Sequence, residues 1–445
     1  MFATSIGVQA AGFQILEQGA SNLGTANAGA TVNANNDASA AFWNPSAAFF
    51  TKKRGQIDMT ANLIMPSFTL TGGQFSNTRT VTIPAFGAAG GPTTTVTRSS
   101  QYNGGDAGDP AVVPNMFATY KITDDLLFSL SITSPYSLGT KYTDGFAGSM
   151  QGLASELLTI DINPSLAYKI TDKLSIGAGF SVQYLQAKLS SRILDTKIAM
   201  DGHSWGWGGN VGLTYEYMEG GRIGISYRSQ ISHNLKGDMR RNGVRTDDID
   251  AWVTLPNTLN VGIYQRGWGE GWRQFAVMAD YGWTSWSTFK QLNIKDAKTG
   301  HTINGTDEEP HGTEENWFNT SRIAAGIHWY PEFVSNDALV FRLGFAWDQA
   351  PVAKHNRTVR IPDSDRFWLS CGLGYTYKET VTFNLGYTFL IIPDSGIDRT
   401  ETKTVTRTVD TPMGAQKAII STQSRVKGTY AGYANLVSAS IGVAF

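Results

Sequence analysis

Leu436-Val-Ser-Ala-Ser-Ile-Gly-Val-Ala-Phe445 closes the chain, and its residues separate into two clean phases. Val437, Ala439, Ile441, Val443 and Phe445 fall in one; Ser438, Ser440, Gly442 and Ala444 fall in the other. A period of two belongs to a strand whose successive side chains point to opposite faces, here one greasy and one small or polar. The alternation runs to the last residue, so the chain is read outward from this strand.

The same dyad recurs along most of the sequence. Phe128, Leu130 and Ile132 oppose Ser129, Ser131 and Thr133, and Leu174, Ile176, Ala178, Phe180 and Val182 oppose Ser175, Gly177, Gly179, Ser181 and Gln183. Ile223, Ile225 and Tyr227 alternate with Arg222, Gly224, Ser226 and Arg228. Leu339, Phe341, Leu343, Phe345 and Trp347 alternate with Val340, Arg342, Gly344, Ala346 and Asp348, and Val381 to Phe389 follows the same rule. In a soluble sandwich the greasy face points inward. In a membrane barrel it meets acyl chains, and Arg342 and Asp348 face a wet lumen. Strand number, aromatic strand ends and the terminal Phe445 favour the barrel over a large sandwich.

Composition agrees. The 445 residues include 48 Gly and 11% aromatics, with charged residues at only 16%. Formal net charge is −1, which offers no electrostatic case for nucleic acid. No apolar run approaches the length of a membrane-spanning helix, but alternating strands escape that test. Cys371 is the one cysteine, so no intramolecular disulfide is possible; it lies in the greasy phase of Phe367–Tyr375.

Residues 1–10 read as a residual signal-peptide segment, because Val8-Gln9-Ala10 has signal-peptidase spacing and Ala11-Gly12-Phe13 would open the mature chain. Residues 11–52 show no dyad and are rich in Gly, Ala and Asn, as in Ala20–Ala30. Small side chains let backbone pack closely, so this piece is expected to be a plug within something larger. Residues 53–445 then form the barrel. Thr171-Asp-Lys173 and Lys378-Glu-Thr380 suit short turns; the polar stretches at about 72–110, 236–251, 291–316 and 393–428 suit extracellular loops.

Several segments, taken in order, resemble the FadL family of outer-membrane transporters for long-chain fatty acids and related hydrophobic compounds. They include Ala11-Gly-Phe-Gln14, Leu23-Gly24, Asn44-Pro45-Ser46, Val113-Pro-Asn-Met116, Ser131-Ile-Thr-Ser134 and Trp205-Gly-Trp-Gly208. Tyr227-Arg-Ser229, Thr284-Ser-Trp-Ser287 and the long stretch Arg357 through Ile361-Pro-Asp-Ser-Asp-Arg-Phe-Trp-Leu-Ser370 continue the series. The resemblance implies a bacterial outer-membrane barrel of fourteen antiparallel strands, a hatch at its amino-terminus, and ligand exit sideways through the wall. Ser46 stands where the family's hatch signature has Ala. The family's two carboxylate-holding basic positions fall on Ser191, beside Arg192, and near Thr313. A one-residue offset in a strand turns the side chain to the other face.

Candidate residues follow from both readings. Pro135 interrupts the strand Ser129–Tyr136; it lacks a ladder donor, and a closed barrel has no edge to put it on. Pro135 and Tyr136 are therefore expected at a lateral gap, the plain alternative being that the strand ends at Ser134. Asn44, Pro45 and Ser46 are expected to gate, the plain alternative being an Asn-Pro turn. Phe13 is expected deep in the barrel, where it would line a ligand channel. Lys188, Arg192, Arg322, Arg342 and Arg366 are basic residues in or near the inward phase; most are expected to pair with Asp161, Asp280 or Asp348. Lys188 and Arg192 are the candidates for the ligand head group. Trp205, Trp207, Trp283, Trp286, Trp329 and Trp347 are expected in aromatic girdles.

No HExxH or phosphate loop occurs, the string Gly202-His-Ser-Trp-Gly206 opens no helix and so makes no GxSxG elbow, and neither a metal nor another cofactor is called for. The reading is a monomeric, passive transporter in contact with outer-membrane lipids, taking up long-chain fatty acids. Neutral or aromatic hydrocarbons are the alternative cargo; a general porin and an outer-membrane lipid hydrolase stand lower.

Overall fold

The structure, a computed structural model, describes residues 12–51, 53–83, 93–193, 196–269, 271–303, 312–411 and 414–445. The segment read as a signal remnant, 1–10, lies outside them, as do the hatch-end residues Ala11 and Lys52. The rest forms a closed antiparallel barrel of fourteen strands around an amino-terminal plug.

The wall begins with β1 (Gly55–Thr82) and β2 (Thr93–Ser100, resuming at Ala111–Lys121). Next are β3 (Leu126–Thr133, resuming at Ser137–Lys141), β4 (Ala154–Thr171), β5 (Leu174–Ile193) and β6 (Thr196–Met218). Strands β7 (Gly221–Arg228 and Ile231–Arg241) and β8 (Val244–Leu255 and Thr258–Arg266) are each broken once. Then come β9 (Phe275–Thr284), β10 (Thr320–Trp329), β11 (Leu339–Asp348) and β12 (Arg366–Tyr377). The last two, β13 (Val381–Thr411) and β14 (Gly414–Ala444), have 31 residues each. The terminal strand closes the ring: Ile441 pairs with Phe383 of β13 on one side and Met59 of β1 on the other. That closure removes the free edges an open sheet would leave at β1 and β14.

The two phases of the sequence become two faces. Ile441, Val443, Leu343, Phe345, Leu385 and Phe180 are exposed on the outside, whereas Ser438, Ser129, Ser131 and Ser181 are buried toward the lumen. Cys371 lies on the outer face, across from Leu343 and Tyr387. Trp205, Trp207 and Trp329 sit on that face as a girdle would require. Trp286 does not: it is fully buried in a short turn, Trp286–Thr288, that folds inward beyond β9.

Much of the polar sequence expected in loops is paired strand. β1, β13 and β14 stay paired, past bulges at Thr71–Gln74 and Ile392–Ser395, and β7 pairs with β8 from Ile231 to Arg241. At about 3.3 Å per residue, 31 residues reach roughly 100 Å, far more than a membrane needs. Outside lipid both faces of a strand can be polar, so the dyad fades although the ladder continues.

Candidate functional site

Between Ala20 and Phe50 the plug makes only short helical turns, at Ala20–Leu23, Ala30–Val32, Ala40–Trp43 and Pro45–Phe50. Its stability comes from the wall. Gly29 and Thr31 donate backbone N–H bonds to Asp280 of β9, Arg322 of β10 donates to the Ala26 carbonyl, and Arg342 Nε donates to Asn35 Oδ1 at 2.9 Å. Arg228 Nη2 donates to the Phe42 carbonyl at 3.0 Å while Nη1 lies 3.5 Å from Asp161. Inward charges thus hold the plug as well as one another.

Asn44, Pro45 and Ser46 sit at the base of this packing. Asn44 Nδ2 donates to the Thr31 carbonyl at 2.9 Å and to Thr214 Oγ1 at 3.2 Å; its Oδ1 accepts from Ser46 Oγ at 2.7 Å. Ser175 Oγ donates to the Ser46 carbonyl at 3.0 Å. Two wall glycines make the approach possible: a Cβ on Gly212 would overlap Asn44 Oδ1, and one on Gly344 would overlap the Thr25 backbone.

The tip of the plug lies elsewhere and makes different contacts. Phe13, 2% exposed, is packed against Trp286, Phe289, Trp317 and Tyr136, with ring centroids 4.8, 5.7, 5.7 and 6.1 Å away. Gly12, at φ +68, donates to Asp363 Oδ2 at 2.7 Å, and Asp363 also pairs with the buried Arg366. The Gly12 conformation suits glycine, and a Cβ there would strike Trp286 and Trp317.

Beside Phe13 the wall ladder is interrupted. β2 and β3 pair only from Met116–Ile132 down to Lys121–Leu127. Above that, in the strand ladder, Ala111–Asn115 pairs with β1 and not β3, and Ser137–Lys141 pairs with β4 and not β2, until the bridge Gly108–Thr140. In the interval, the plug supplies the missing partner: Ile15 N donates to the Pro135 carbonyl at 2.8 Å, Ser137 N donates to the Phe13 carbonyl at 2.9 Å, and Gln14 bridges Tyr136. Gln18 Nε2 reaches the Ser134 carbonyl at 3.3 Å. Pro135 has no N–H to contribute, so the break leaves acceptors for the plug to satisfy.

Along β5, Gly177 lies against Pro45 and Ser46, while Ala187 and Leu189, ten and twelve residues on, line a cavity. That places the cavity roughly 35 Å along the strand from the base, toward the long end of the barrel. It lies between Phe13, Leu157, Leu189, Leu235, Val253 and Phe289, with about 790 Å³ of empty space when the solvent at its mouth is included. Its polar end is small. Arg360 Nη1 donates to the Ala154 carbonyl at 3.1 Å and Ser155 Oγ at 3.0 Å; its other donors make no hydrogen bond among the described residues. Glu315, 3% exposed, has an Oε2 without a partner at hydrogen-bond distance, and burial pushes its carboxyl up to about 8 against the pull of Arg399, the Trp317 indole and Arg360.

Phe13 therefore lines the cavity, and Pro135 and Tyr136 lie at the ladder break beside it. Lys188 and Arg192 do not join them. Both fall in the outward phase of β5, opposite to Ala187, Leu189 and Ser191, and Arg192 pairs with Asp144 at 3.2 Å. Arg360 and Glu315 were missed because each lies outside the regular strands, where no periodicity reports which way a side chain points.

Residues 1–445 match the family described as "Outer membrane protein transport protein (OMPP1/FadL/TodX)". A long-chain fatty acid transport protein of Salmonella typhi is 31% identical over 319 residues, covering 63% of this chain and 70% of that one. A Pseudomonas aeruginosa FadL homologue superimposes with a TM-score of 0.78 at 21% identity, over 98% of this chain and 100% of that one. A Pseudomonas putida toluene transporter, TodX, gives a TM-score of 0.60 at 15% identity, over 98% and 100%. The low identities of the two structures speak to the fold alone. With the family matched from end to end and the plugged barrel in place, this chain belongs to the OMPP1/FadL/TodX family of outer-membrane transport proteins.

Proposed function

We propose that the protein, acting as a monomer among outer-membrane lipids, takes up long-chain fatty acids passively through the cavity and out through the wall beside Pro135 and Tyr136. One observation carries the reading: Phe13–Ile15 both packs against the cavity and fills the ladder break. Displacing that short segment would open a path from cavity to wall in a single step. A hydrocarbon tail has no reason to enter water, where each exposed CH₂ costs about 0.8 kcal/mol. Lateral exit delivers it to lipid instead. Asn44, Pro45 and Ser46, expected from the sequence to gate, are read instead as the anchor against which the tip moves, because they bond to Thr31, Thr214 and Ser175 together.

A carboxylate head needs a partner in so apolar a site. Arg360 supplies one in the cavity lining, whereas Lys188 and Arg192 lie on the outer face. Relatives described as a long-chain fatty acid transport protein and a toluene transporter support a hydrophobic cargo of this kind. Neutral aromatic hydrocarbons are the second reading, favoured by the cluster of Phe13, Trp286, Phe289 and Trp317.

The test is uptake of labelled oleate and labelled toluene by cells that lack other transporters of this kind. Arg360→Met should reduce oleate uptake at least tenfold and leave toluene uptake unchanged. Equal loss of both, or of neither, contradicts the head-group role; toluene uptake without oleate uptake by the unaltered protein establishes the second reading.

A further inference from the structure

The ladder between β6 and β7 is interrupted as well. The two strands pair from Met218–Gly221 up to Asn210–Arg228, and again from His203–Lys236 to Ile198–Arg241. Between those ladders Ser204–Gly208 has no ladder partner on the β7 side; Gly209 below it is held by Ser229, at 2.8 and 2.9 Å. On its other side the same stretch stays paired with β5, Trp205 opposite Tyr184 and Gly206 opposite Gln183. The row Thr133, Asp161, Gln183, Gly206 runs unbroken across β3 to β6, so this break lies one register row from Ser134 and the first.

Here β7 turns into the lumen. It bends at Ser229–Gln230 and β8 at Pro256–Asn257, and a fresh ladder between them starts at Ile231–Leu255. His233 of β7 then reaches Gln183 of β5, Nε2 to Oε1 at 3.1 Å, although β6 stands between those strands in the sheet order. Two glycines let it pass: a Cβ on Gly206 would strike Ile231 and His233, and one on Gly208 would strike Ile231. Ile231 and His233, 3% and 0% exposed, thus stop the break with side chains. Among the described residues, no hydrogen bond joins the plug to either edge of it. Leu235, at its upper end, and Gly202 of β6 line the cavity. Trp205 and Trp207 stand exposed outside, where a girdle lies at the interface and uncovered backbone meets headgroups and water.

We propose that this break is a second window in the wall, gated by Ile231 and His233, through which neutral aromatic hydrocarbons leave the cavity without displacing the plug tip. The proposal rests on the aromatic-hydrocarbon reading above and adds a route to it. Charge decides the class of ligand. On the luminal side Arg228 is already spent on Asp161, Ser181 and the Phe42 carbonyl, and Lys236 belongs to the outward phase of β7. A carboxylate beside Gln183 and His233 would find no guanidinium or ammonium left free, and an unpaired charge away from water is expensive. A neutral ring carries no such cost. His233 is tied at one ring nitrogen only, its Nδ1 having no hydrogen-bond partner, so the imidazole swings aside with the Ile231 side chain. The ring then meets the indoles of Trp205 and Trp207, against which aromatic faces and edges pack favourably.

The test uses the full barrel with Cys371→Ser and the tip tied by Gln14→Cys with Tyr136→Cys, two facing positions. Uptake of labelled toluene and labelled oleate is measured in cells with equal surface barrel, oxidised and reduced. Oxidation should cut oleate uptake at least tenfold and toluene uptake less than twofold. Ile231→Ala in the oxidised barrel should raise toluene uptake at least threefold and leave oleate blocked. A second measurement needs no change at the break: a phenyl-diazirine probe, irradiated in the oxidised barrel, should label Trp205–Gly208 or Ile231–Leu235. Toluene uptake that falls with oleate on oxidation, no rise in Ile231→Ala, or labelling that spares both segments overturns the window while the aromatic reading survives. Oleate passing the tied barrel as readily as toluene overturns it too. If the unaltered barrel takes up no toluene, that reading fails and the window with it.

Discussion

The plug meets the barrel at a base and at a tip, and the two contacts are made by different means. At the base, Asn44 and Ser46 share side-chain hydrogen bonds with Thr214, and Gly212 leaves room for them. Asp280, Arg322 and Arg342 add further buried polar contacts to the same body of the plug. At the tip, the Gly12–Ile15 segment has two backbone bonds to the Pro135–Ser137 stretch, one N–H bond from Gly12 to Asp363, and a nest of rings. Interlocked polar contacts in close packing must break together. An edge-paired strand with aromatic cover can leave as a unit, and the rings it vacates can accept a greasy ligand in its place. A fixed base and a releasable tip are what one segment needs to stay attached while it opens.

Gly212→Val attacks the base and should have the largest effect. Its side chain would occupy the position of Asn44 Oδ1, breaking several hydrogen bonds worth about 1 kcal/mol each and expelling the plug's lower part. Black-lipid conductance should rise from near silence to steady current. A silent, correctly assembled Gly212→Val barrel would mean the base is not what fills the lumen.

Phe13→Ala attacks the tip. Truncating a buried Phe costs about 3–5 kcal/mol, here drawn from the closed tip and not from the barrel. Hydrogen exchange at Gly12–Gln18 should accelerate at least a hundredfold, with the β-strand amides unchanged. Equal acceleration throughout the wall would show that tip and barrel are one cooperative unit.

Glu17 tunes the same region more gently. Burial pushes its carboxyl up to about 7, so the closed tip favours the protonated form. Its contribution is fully present below the ordinary carboxylate value of 4.5, declines as pH rises toward 7, and is flat beyond. The whole span amounts to no more than about 3 kcal/mol. Exchange at the tip should therefore quicken between pH 4.5 and 7 after correction for intrinsic rates, and Glu17→Gln should remove that slope. A slope that persists in the variant assigns it to another group.

The difference between wall and site explains what could be read from sequence. The barrel was legible in Leu436–Phe445 because lipid on one side and lumen on the other force the dyad. Pro135 marked the ladder break because a closed ring has no other place for a missing donor. Ala20–Ala30 announced close packing through its small residues. The phase of β5 also held a warning: Lys188 and Arg192 share the parity of Ile176 and Phe180, which face out. Arg360, Glu315 and Trp286 lie in turns and connections, where neither parity nor spacing gives direction. The long Thr-rich hairpin at 393–428 looked like loop because strands beyond the membrane have no lipid to oppose.

The contrast between base and tip is tested most directly by tying each in turn. With Cys371→Ser as background, Gln14→Cys with Tyr136→Cys would link the tip to β3, at facing positions flanked by the two backbone bonds. Ser46→Cys with Thr214→Cys would link the base, where the two hydroxyls are 2.7 Å apart. Oleate uptake is measured in cells with equal surface barrel, before and after reduction. The tip link should abolish uptake and reduction should restore it, while the base link leaves uptake close to normal. Uptake that continues through an oxidised tip link, or that stops only when the base is tied, would contradict a fixed base and a moving tip.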